Sequence, residues 1–252
     1  MLTKFHRLLA ATSIVALLSV AAPAARAAGG TIVLVHGAFA DGSSWSKVIP
    51  LLEAHGLKVI AVQLPMTSLA DDVAATNRAI DRSDGPVTLV GHSWGGTVVT
   101  QAGVSNKIKA LVYVAAFANQ VGTNDQDLVR DYPAAPGGAE IVADQAGFAH
   151  LSEAGIVKHF APDLPPAEQK LIAATQGPIR AGNFGEKTTA AAWSTKPSWY
   201  IVAENDHMIP PAAEQAMAKA IKAHTTTVKS SHVVMLAHPD AVAKVIEAAA
   251  TQ

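Results

Sequence analysis

A serine with glycines on both sides lies directly after a short apolar run. The segment reads GHSWG at positions 91–95, with Ser93 at its centre, and the apolar run spans 87–90. A strand that turns sharply into a helix strains the residue at the turn, and flanking glycines remove the clashes that other side chains would make. The hydroxyl then points out of the turn, beside the free backbone N–H groups of the helix. The pattern predicts a nucleophilic serine at position 93.

A serine nucleophile needs a base, and the base needs a carboxylate to orient it. For a serine on this kind of turn, the partners follow in the chain order Ser, Asp or Glu, His. Asp206 comes after a strand predicted at 198–202, and His232 comes after a strand predicted at 226–229. Both therefore lie on loops at strand ends, where they can meet the serine. We predict a catalytic triad of Ser93, Asp206 and His232.

Other residues compete for the roles of acid and base. Glu204 is the main rival for the acid, because it lies nearer to the end of its strand than Asp206 does. For the base, His224 is expected on the entry side of the last strand and His238 at a helix start. His207 stands beside the proposed acid. These positions favour the base assigned above.

The loop after the first predicted strand supplies candidate hydrogen-bond donors. Gly37 permits a turn that brings the N–H of Ala38 toward the serine hydroxyl, and the N–H of Trp94 follows the nucleophile directly. Together they predict a two-donor oxyanion hole formed by Ala38 and Trp94. We expect His36 and His92 to be buried structural residues. The indole of Trp94 is expected in either the pocket wall or the core.

Six apolar runs of strand length alternate with stretches of helical period, which predicts an α/β fold with a mostly parallel sheet flanked by helices. The predicted strands span 31–35, 58–62, 87–90, 108–114, 198–202 and 226–229. Between the second and third strands, apolar residues at helical spacing follow Ser68, with Asp71 as a possible capping partner.

The alternation breaks at about 118–195, where prolines and glycines interrupt short helical pieces. A segment of this length is too long for a plain loop in a compact domain. We predict a small cap insertion over the carboxyl ends of the strands, where ligands enter open α/β sheets; a mobile surface excursion is the alternative. Aromatic and apolar residues there and in the facing loops predict a cavity for an apolar, modest-sized substrate: Phe117, Phe148, Phe160 and Trp193, then Phe39, Trp94 and Met235.

Residues 1–27 have the pattern of a secretory signal peptide. Lys4 and Arg7 precede an apolar stretch at 8–20, and a small-residue site ends at Ala27. The stretch is shorter than the roughly 20 residues that span a bilayer, so an uncleaved membrane anchor is less favoured. We expect cleavage after Ala27 or Ala28, a periplasmic or secreted mature chain, and no stable membrane insertion after cleavage.

Charge and cysteine content exclude several functions. Without residues 1–27 the chain has sixteen basic and twenty acidic residues, a formal charge of −4. No basic patch for nucleic acid is indicated. The chain has no cysteine, so it has neither disulfides nor a thiol nucleophile. The oligomeric state is left open.

Four segments together resemble the α/β-hydrolase superfamily, and more narrowly the plant methylesterase and hydroxynitrile lyase branch with its bacterial esterase relatives. They are HGAFADGSSWSKVIPLLEAHGLKVIAVQLP, LVGHSWGG, IVAENDHMIP and HVVMLAHP. The resemblance implies an α/β-hydrolase domain at 28–252 with an eight-stranded or slightly smaller sheet. It also implies a triad of Ser93, Asp206 and His232, and neither a cofactor nor a metal.

The chain departs from the lyase pattern at two places. Hydroxynitrile lyases of this branch have a threonine after the first-strand histidine and a lysine near the catalytic histidine. Here these positions hold Gly37 and, after His232, Val233 and Val234. The resemblance thus favours a serine hydrolase that cleaves a small carboxylic ester or lactone through an acyl-enzyme intermediate. The alternatives are a cofactor-free haloperoxidase or perhydrolase, which would use the same triad, and a non-catalytic ligand-binding protein of this fold.

Overall fold

The structure is a computed structural model that describes residues 30–252. The predicted signal peptide lies outside these residues and stays a prediction. Among the helices of the described part, none is long and apolar enough to cross a membrane.

Between residues 30 and 252 the chain forms nine strands: β1 (Thr31–Val35), β2 (Lys58–Val62), β3 (Val87–Ser93), β4 (Ile108–Ala116), β5 (Ile141–Ala143), β6 (Phe148–Leu151), β7 (Ile179–Arg180), β8 (Ser198–Ala203) and β9 (His224–Val228). Six of them form one parallel sheet in the order β2-β1-β3-β4-β8-β9. The predicted parallel α/β sheet is confirmed.

The same part of the chain forms nine α-helices: α1 (Ile49–Ala54), α2 (Leu69–Asp81), α3 (Trp94–Ala102), α4 (Asp125–Val129), α5 (Glu153–Gly155), α6 (Pro166–Thr175), α7 (Pro211–Ala220), α8 (Val234–Ala237) and α9 (Pro239–Ala250). Single turns of 3-10 helix span Gly42–Trp45, Pro136–Glu140, Ala181–Gly185 and Ala192–Ser194, and a π-helical turn spans Ile156–Phe160.

The strand bounds agree with the sequence pattern except at a few ends. Strands β3 and β4 run on to Ser93 and Ala116, beyond the predicted ends. Strand β9 starts at His224, two residues before the prediction. It is an edge strand whose first four residues are exposed. Because these exposed residues form a strand through backbone pairing with β8, the apolar pattern of the sequence did not predict the first two residues of β9.

Helix α2 begins as the sequence predicts. The hydroxyl of Ser68 accepts a hydrogen bond from the Asp71 N–H at 3.0 Å. The Asp71 carboxylate accepts from the hydroxyls of Ser68 and Thr67, both at 2.7 Å. In a full capping box the carboxylate would accept the backbone N–H of the N-cap residue instead. Helix α2 therefore has the predicted Ser68 N-cap, but Asp71 accepts hydroxyl groups instead of the backbone N–H of Ser68.

Residues 117–197, between β4 and β8, form an insertion. Its strands β5, β6 and β7 make a small antiparallel sheet. Helix α4 precedes β5 in the chain, and helices α5 and α6 lie between β6 and β7. The insertion contacts two loops at the carboxyl ends of core strands. The Arg180 N–H donates to the carbonyl of Met66 at 2.9 Å, and the Asp163 carboxylate accepts from the N–H and hydroxyl of Ser231 at 2.8 and 2.6 Å. These bonds hold the insertion beside the carboxyl ends of the parallel strands.

Backbone segments approach closely where β3 turns into α3. A Cβ atom on Gly95 would lie 2.6 Å from the carbonyl oxygen of Val35 and 2.7 Å from that of His36. Because both neighbours are backbone atoms at the end of β1, neither can move like a side chain. Glycine at position 95 thus allows α3 to pack onto the sheet.

Gly95→Ala should therefore lower the free energy of unfolding by about 1–3 kcal/mol, the usual cost of overpacking a core. Gly85→Ala is the matched control, because a Cβ there meets no heavy atom within 4 Å. The control should leave stability unchanged or raise it slightly. Urea unfolding of both variants measures the difference, and equal midpoints would contradict the proposed packing constraint.

Candidate active site

Ser93 lies at a strained turn between β3 and α3. Its φ is 52° and its ψ is −122°, in the region that non-glycine residues rarely adopt. The turn is tight because a Cβ on Gly91 would lie only 2.4 Å from the carbonyl oxygen of Gly95. The strand-to-helix turn that the sequence predicts is present, with the serine at its apex.

Asp206 and His232 lie on the loops after β8 and β9 and contact each other. The His232 Nδ1 donates to the Asp206 Oδ2 at 2.5 Å. The other carboxylate oxygen accepts the backbone N–H groups of Met208 at 2.6 Å and Ile209 at 2.9 Å. The side chains of Asp206 and His232 are 0% and 1% exposed. The aspartate is thereby held in one orientation, with the imidazole held against it.

The competing residues lie elsewhere. Glu204 is exposed, although it is only two residues from the aspartate that contacts His232. His207 lies with its Nδ1 3.3 Å from the Nδ1 of His159, and His238 is the N-cap residue of α9. His224 is the first residue of β9, and its ring stacks on Trp199 of β8.

Two buried histidines support the site as structural residues, as expected. The Nε2 of His92 donates to the carbonyl of His232 at 3.0 Å, and the two rings lie 4.6 Å apart. Burial lowers the pKa of His92 well below its usual value, so this ring is neutral. The Nδ1 of His36 donates to the Gly37 carbonyl, and its Nε2 accepts the Leu64 N–H. Burial lowers the pKa of His36 as well.

The two residues of the predicted oxyanion hole belong to segments that lie next to Ser93. A Cβ on Gly37 would lie 2.7 Å from the Cβ of Ser93, so only glycine lets the β1 loop approach the serine this closely. Ala38 follows in this loop, and within residues 30–252 its N–H donates to no other backbone carbonyl. Trp94 is the first residue of α3, where a helix leaves its N–H groups without a partner in the helix.

The indole of Trp94 belongs to the core. Its Nε1 donates to the Asp72 Oδ2 at 2.8 Å, and the Asp72 Oδ1 accepts the Met66 N–H at 2.8 Å. The ring is fully buried and packs edge-on against Phe184. Burial raises the pKa of Asp72 to about 6. Of the two expected places for this indole, the structure selects the core.

A cavity of about 360 Å³ opens at Ser93 and His232. Its wall is mainly apolar and comes from the core loops and the insertion: Ala38, Phe39, Phe117, Val129, Ile141, Phe160, Phe184, Met208 and Ile209 are among its residues. Phe39, Phe117 and Phe160 were expected there, whereas Phe148, Trp193 and Trp94 are not in the wall. Met235 lines a second cavity, of about 340 Å³, which shares Phe160 with the first.

Sequence reasoning missed Phe184 and did not assign Asp125 to the wall. Phe184 stands in the glycine-flanked turn Ala181–Gly185, which shows no apolar period. The approach of this turn to Phe39, with ring centroids 6.3 Å apart, is a long-range contact. No local pattern could have indicated it.

Asp125 is a buried carboxyl in the cavity wall, at the first position of α4. Its Oδ1 accepts the Thr97 hydroxyl at 2.6 Å and the Asn119 Nδ2 at 3.0 Å. Its Oδ2 is also buried, and no atom of residues 30–252 forms a hydrogen bond with it. Burial raises the pKa of Asp125 from 3.8 to about 7, against the opposing effect of the two hydrogen bonds.

This pKa predicts how stability depends on pH. A carboxyl with a higher pKa in the folded state binds more protons when folded, so the free energy of unfolding falls as pH rises from about 4 to about 7. For a pKa raised from 3.8 to about 7, this fall amounts to about 4 kcal/mol. The side chain of Asp125→Asn cannot ionise, so the variant should not show the fall. Relative to the parent protein, the variant should gain stability as pH rises from about 4 to about 8.

Chemical unfolding at several pH values tests this prediction. Asp131→Asn, at an exposed position, is the matched control and should leave the pH profile unchanged. A constant stability difference between Asp125→Asn and the parent protein over this range would contradict the raised pKa.

Comparison with known proteins agrees with this fold. The model of the alpha/beta hydrolase family matches residues 32–245. A pyrethroid hydrolase of Sphingobium wenxiniae is 26% identical over 245 residues, covering 85% of this chain and 85% of the relative. Methylesterase 8 of Arabidopsis thaliana is 27% identical over 201 residues, covering 70% and 72%. The crystal structure of polyneuridine aldehyde esterase superposes with a TM-score of 0.76 at 19% identity, covering 87% of this chain and 98% of that one, and shows the shared fold. The chain belongs to the alpha/beta hydrolase family.

Proposed function

We propose that the protein is a serine hydrolase that cleaves a small carboxylic ester or lactone through an acyl-enzyme intermediate. The observation that carries the proposal is the 2.5 Å hydrogen bond from His232 Nδ1 to Asp206 Oδ2. It is made by a histidine in the wall of the cavity that also contains Ser93. Because this bond uses the Nδ1 proton, Nε2 is left as the basic nitrogen.

In the proposed mechanism Ser93 Oγ attacks the ester carbonyl while His232 Nε2 takes the hydroxyl proton. The carbon–oxygen bond to the alcohol then breaks, and His232 returns the proton to the leaving alcohol. Water attacks the acyl-enzyme with the same histidine as base, which releases the acid and restores Ser93. Asp206 holds the imidazole and stabilises its charged form.

The surroundings of His232 support this role. The protonated imidazole has a buried carboxylate on one side, where the attraction is screened little by water. On the other side lies His92, whose pKa burial lowers well below its usual value. His92 therefore adds no positive charge beside the imidazolium that forms during the reaction.

We assign the oxyanion to the N–H groups of Ala38 and Trp94. Both are backbone donors on segments whose position depends on close packing, so they need little reorganisation when charge develops. The side chains of Ala38 and Trp94 are buried, which keeps bulk water from these donors.

The cavity supports a substrate of modest size. Its volume of about 360 Å³ falls within the roughly 300–1,000 Å³ typical of small-molecule sites. Its wall is mainly apolar, so we propose that an apolar part of the substrate occupies it. Relatives named as a hydrolase and a methylesterase support hydrolysis as the reaction class. We also propose that residues 1–27 direct the chain to the periplasm or the exterior.

Ser93→Ala should leave the protein folded and reduce esterase turnover on the order of a million-fold, because the triad acts as a unit. His232→Ala should behave similarly. His207→Ala and His238→Ala are controls that should retain most activity. Hydrolysis of nitrophenyl esters measures the effect, and labelling by a fluorophosphonate reports the nucleophile. Undiminished turnover by a folded, unlabelled Ser93→Ala protein would refute the assignment.

Asp206→Asn should slow turnover roughly 10⁴-fold, because the amide no longer holds the histidine in the productive tautomer. Glu204→Gln is the matched control and should have little effect, since Glu204 is exposed. Steady-state kinetics on the same ester compare the two variants. The opposite ranking would identify Glu204 as the acid.

A further inference from the structure

We propose that Asp125 is a substrate-recognition subsite that accepts a hydrogen bond from a hydroxyl or amino group of the substrate. The protein would then prefer esters that carry such a donor at a distance from the scissile bond. The inference deepens the proposed ester hydrolysis and rests on it for the identity of the reacting group.

The composition of the cavity wall points to this residue. Among the described residues that line the cavity at Ser93, Asp125 is the one carboxylic acid, in a wall that is otherwise largely apolar. A few polar groups in an apolar cavity are what orient a small ligand. Its position in the same wall as Ser93 and His232 places it beside the space that a substrate would fill. Because Oδ2 is itself buried, a neighbouring wall side chain must shift for a ligand to reach it.

Hydrogen bonding within the protein leaves one oxygen of this carboxyl unused. Thr97 and Asn119 both donate to Oδ1, and no group of residues 30–252 donates to Oδ2. The Asn119 Oδ1 is likewise buried without a hydrogen bond. The Asn119 Oδ1 is an acceptor, and so is the Asp125 Oδ2 when the carboxyl is ionised, so a ligand that satisfies both atoms must bring a donor.

The other buried aspartates of the site differ in this respect. Both oxygens of Asp206 accept hydrogen bonds from the protein, and so do both oxygens of Asp72. Glu214 also has an unused buried oxygen, but it does not line the cavity. An unused carboxyl oxygen in the cavity wall therefore distinguishes Asp125 from carboxyls that only support the fold.

The charge of Asp125 is also not compensated by the protein. None of the ion pairs formed within residues 30–252 includes it. The hydroxyl of Thr97 donates at 2.6 Å, a length typical of a bond to an ionised carboxylate. Burial raises the pKa of Asp125 to about 7, whereas a donor bound at Oδ2 would favour the ionised form. Binding of a donor would thus form a charge-assisted hydrogen bond.

Calorimetry on the Ser93→Ala protein tests the subsite without turnover. The ligands are methyl phenylacetate, its 2-, 3- and 4-hydroxy isomers, and the matching methoxy compounds. We expect one hydroxy isomer to bind about 10- to 100-fold more tightly than methyl phenylacetate. Its methoxy counterpart, which accepts but cannot donate, should not gain. In the Ser93→Ala, Asp125→Asn double variant this preference should disappear.

Two further variants make the result specific. Asp131→Asn, an exposed carboxylate in the same segment, should keep the preference. Asp125→Ser provides a second removal of the carboxylate should the asparagine variant not fold. The proposal is refuted if no hydroxy isomer is preferred, if a methoxy isomer is preferred, or if the preference persists without the Asp125 carboxylate.

Hydrolysis of methyl phenylacetate by the parent protein, measured in parallel, separates this inference from the proposed function. Absence of hydrolysis with an intact hydroxyl preference would count against ester cleavage alone. Hydrolysis without any hydroxyl preference would count against the subsite alone.

Discussion

Three backbone segments meet around Ser93 at distances that leave no room for side chains. The loop after β1 lies against the serine at Gly37, the two ends of the turn touch at Gly91 and Gly95, and α3 lies on the end of β1. This close packing holds Ser93 at a φ of 52°. It also holds in place the two segments that carry the N–H groups of Ala38 and Trp94. The positions of the proposed nucleophile and of its proposed oxyanion donors are therefore consequences of one packing arrangement.

Burial controls the charges behind this turn. Desolvation, and then the nearby Asp206 carboxylate, raise the pKa of Glu214 well above its usual value, which favours its neutral form. Burial also keeps His92 neutral under the ring of His232. Asp206 is the carboxylate that contacts the imidazole, and burial disfavours a second negative charge beside it. Burial away from water, rather than a neighbouring opposite charge, is the main cause of the pKa shifts of Glu214 and His92.

The insertion and the core are joined at the loops that carry the site. Asp163 of the insertion accepts hydrogen bonds from Ser230 and Ser231, directly before His232. Lys47 of the core forms an ion pair with Glu168 at 2.7 Å and donates to the carbonyl of Leu236, just after the same histidine. The insertion thus contributes both the cavity wall and contacts that hold the histidine loop.

The sequence by itself determined the elements and the order of the candidate residues. Apolar periodicity predicted the parallel sheet, and the glycine-flanked serine predicted a turn at Ser93, because both depend on neighbours in the chain. Tertiary structure alone shows that Asp206, and not the exposed Glu204, is buried in contact with His232. It also decided that Phe184 and Asp125 reach the cavity, and that polar β9 starts at His224. These outcomes depend on contacts between distant segments, and the local pattern of a single sequence does not encode such contacts.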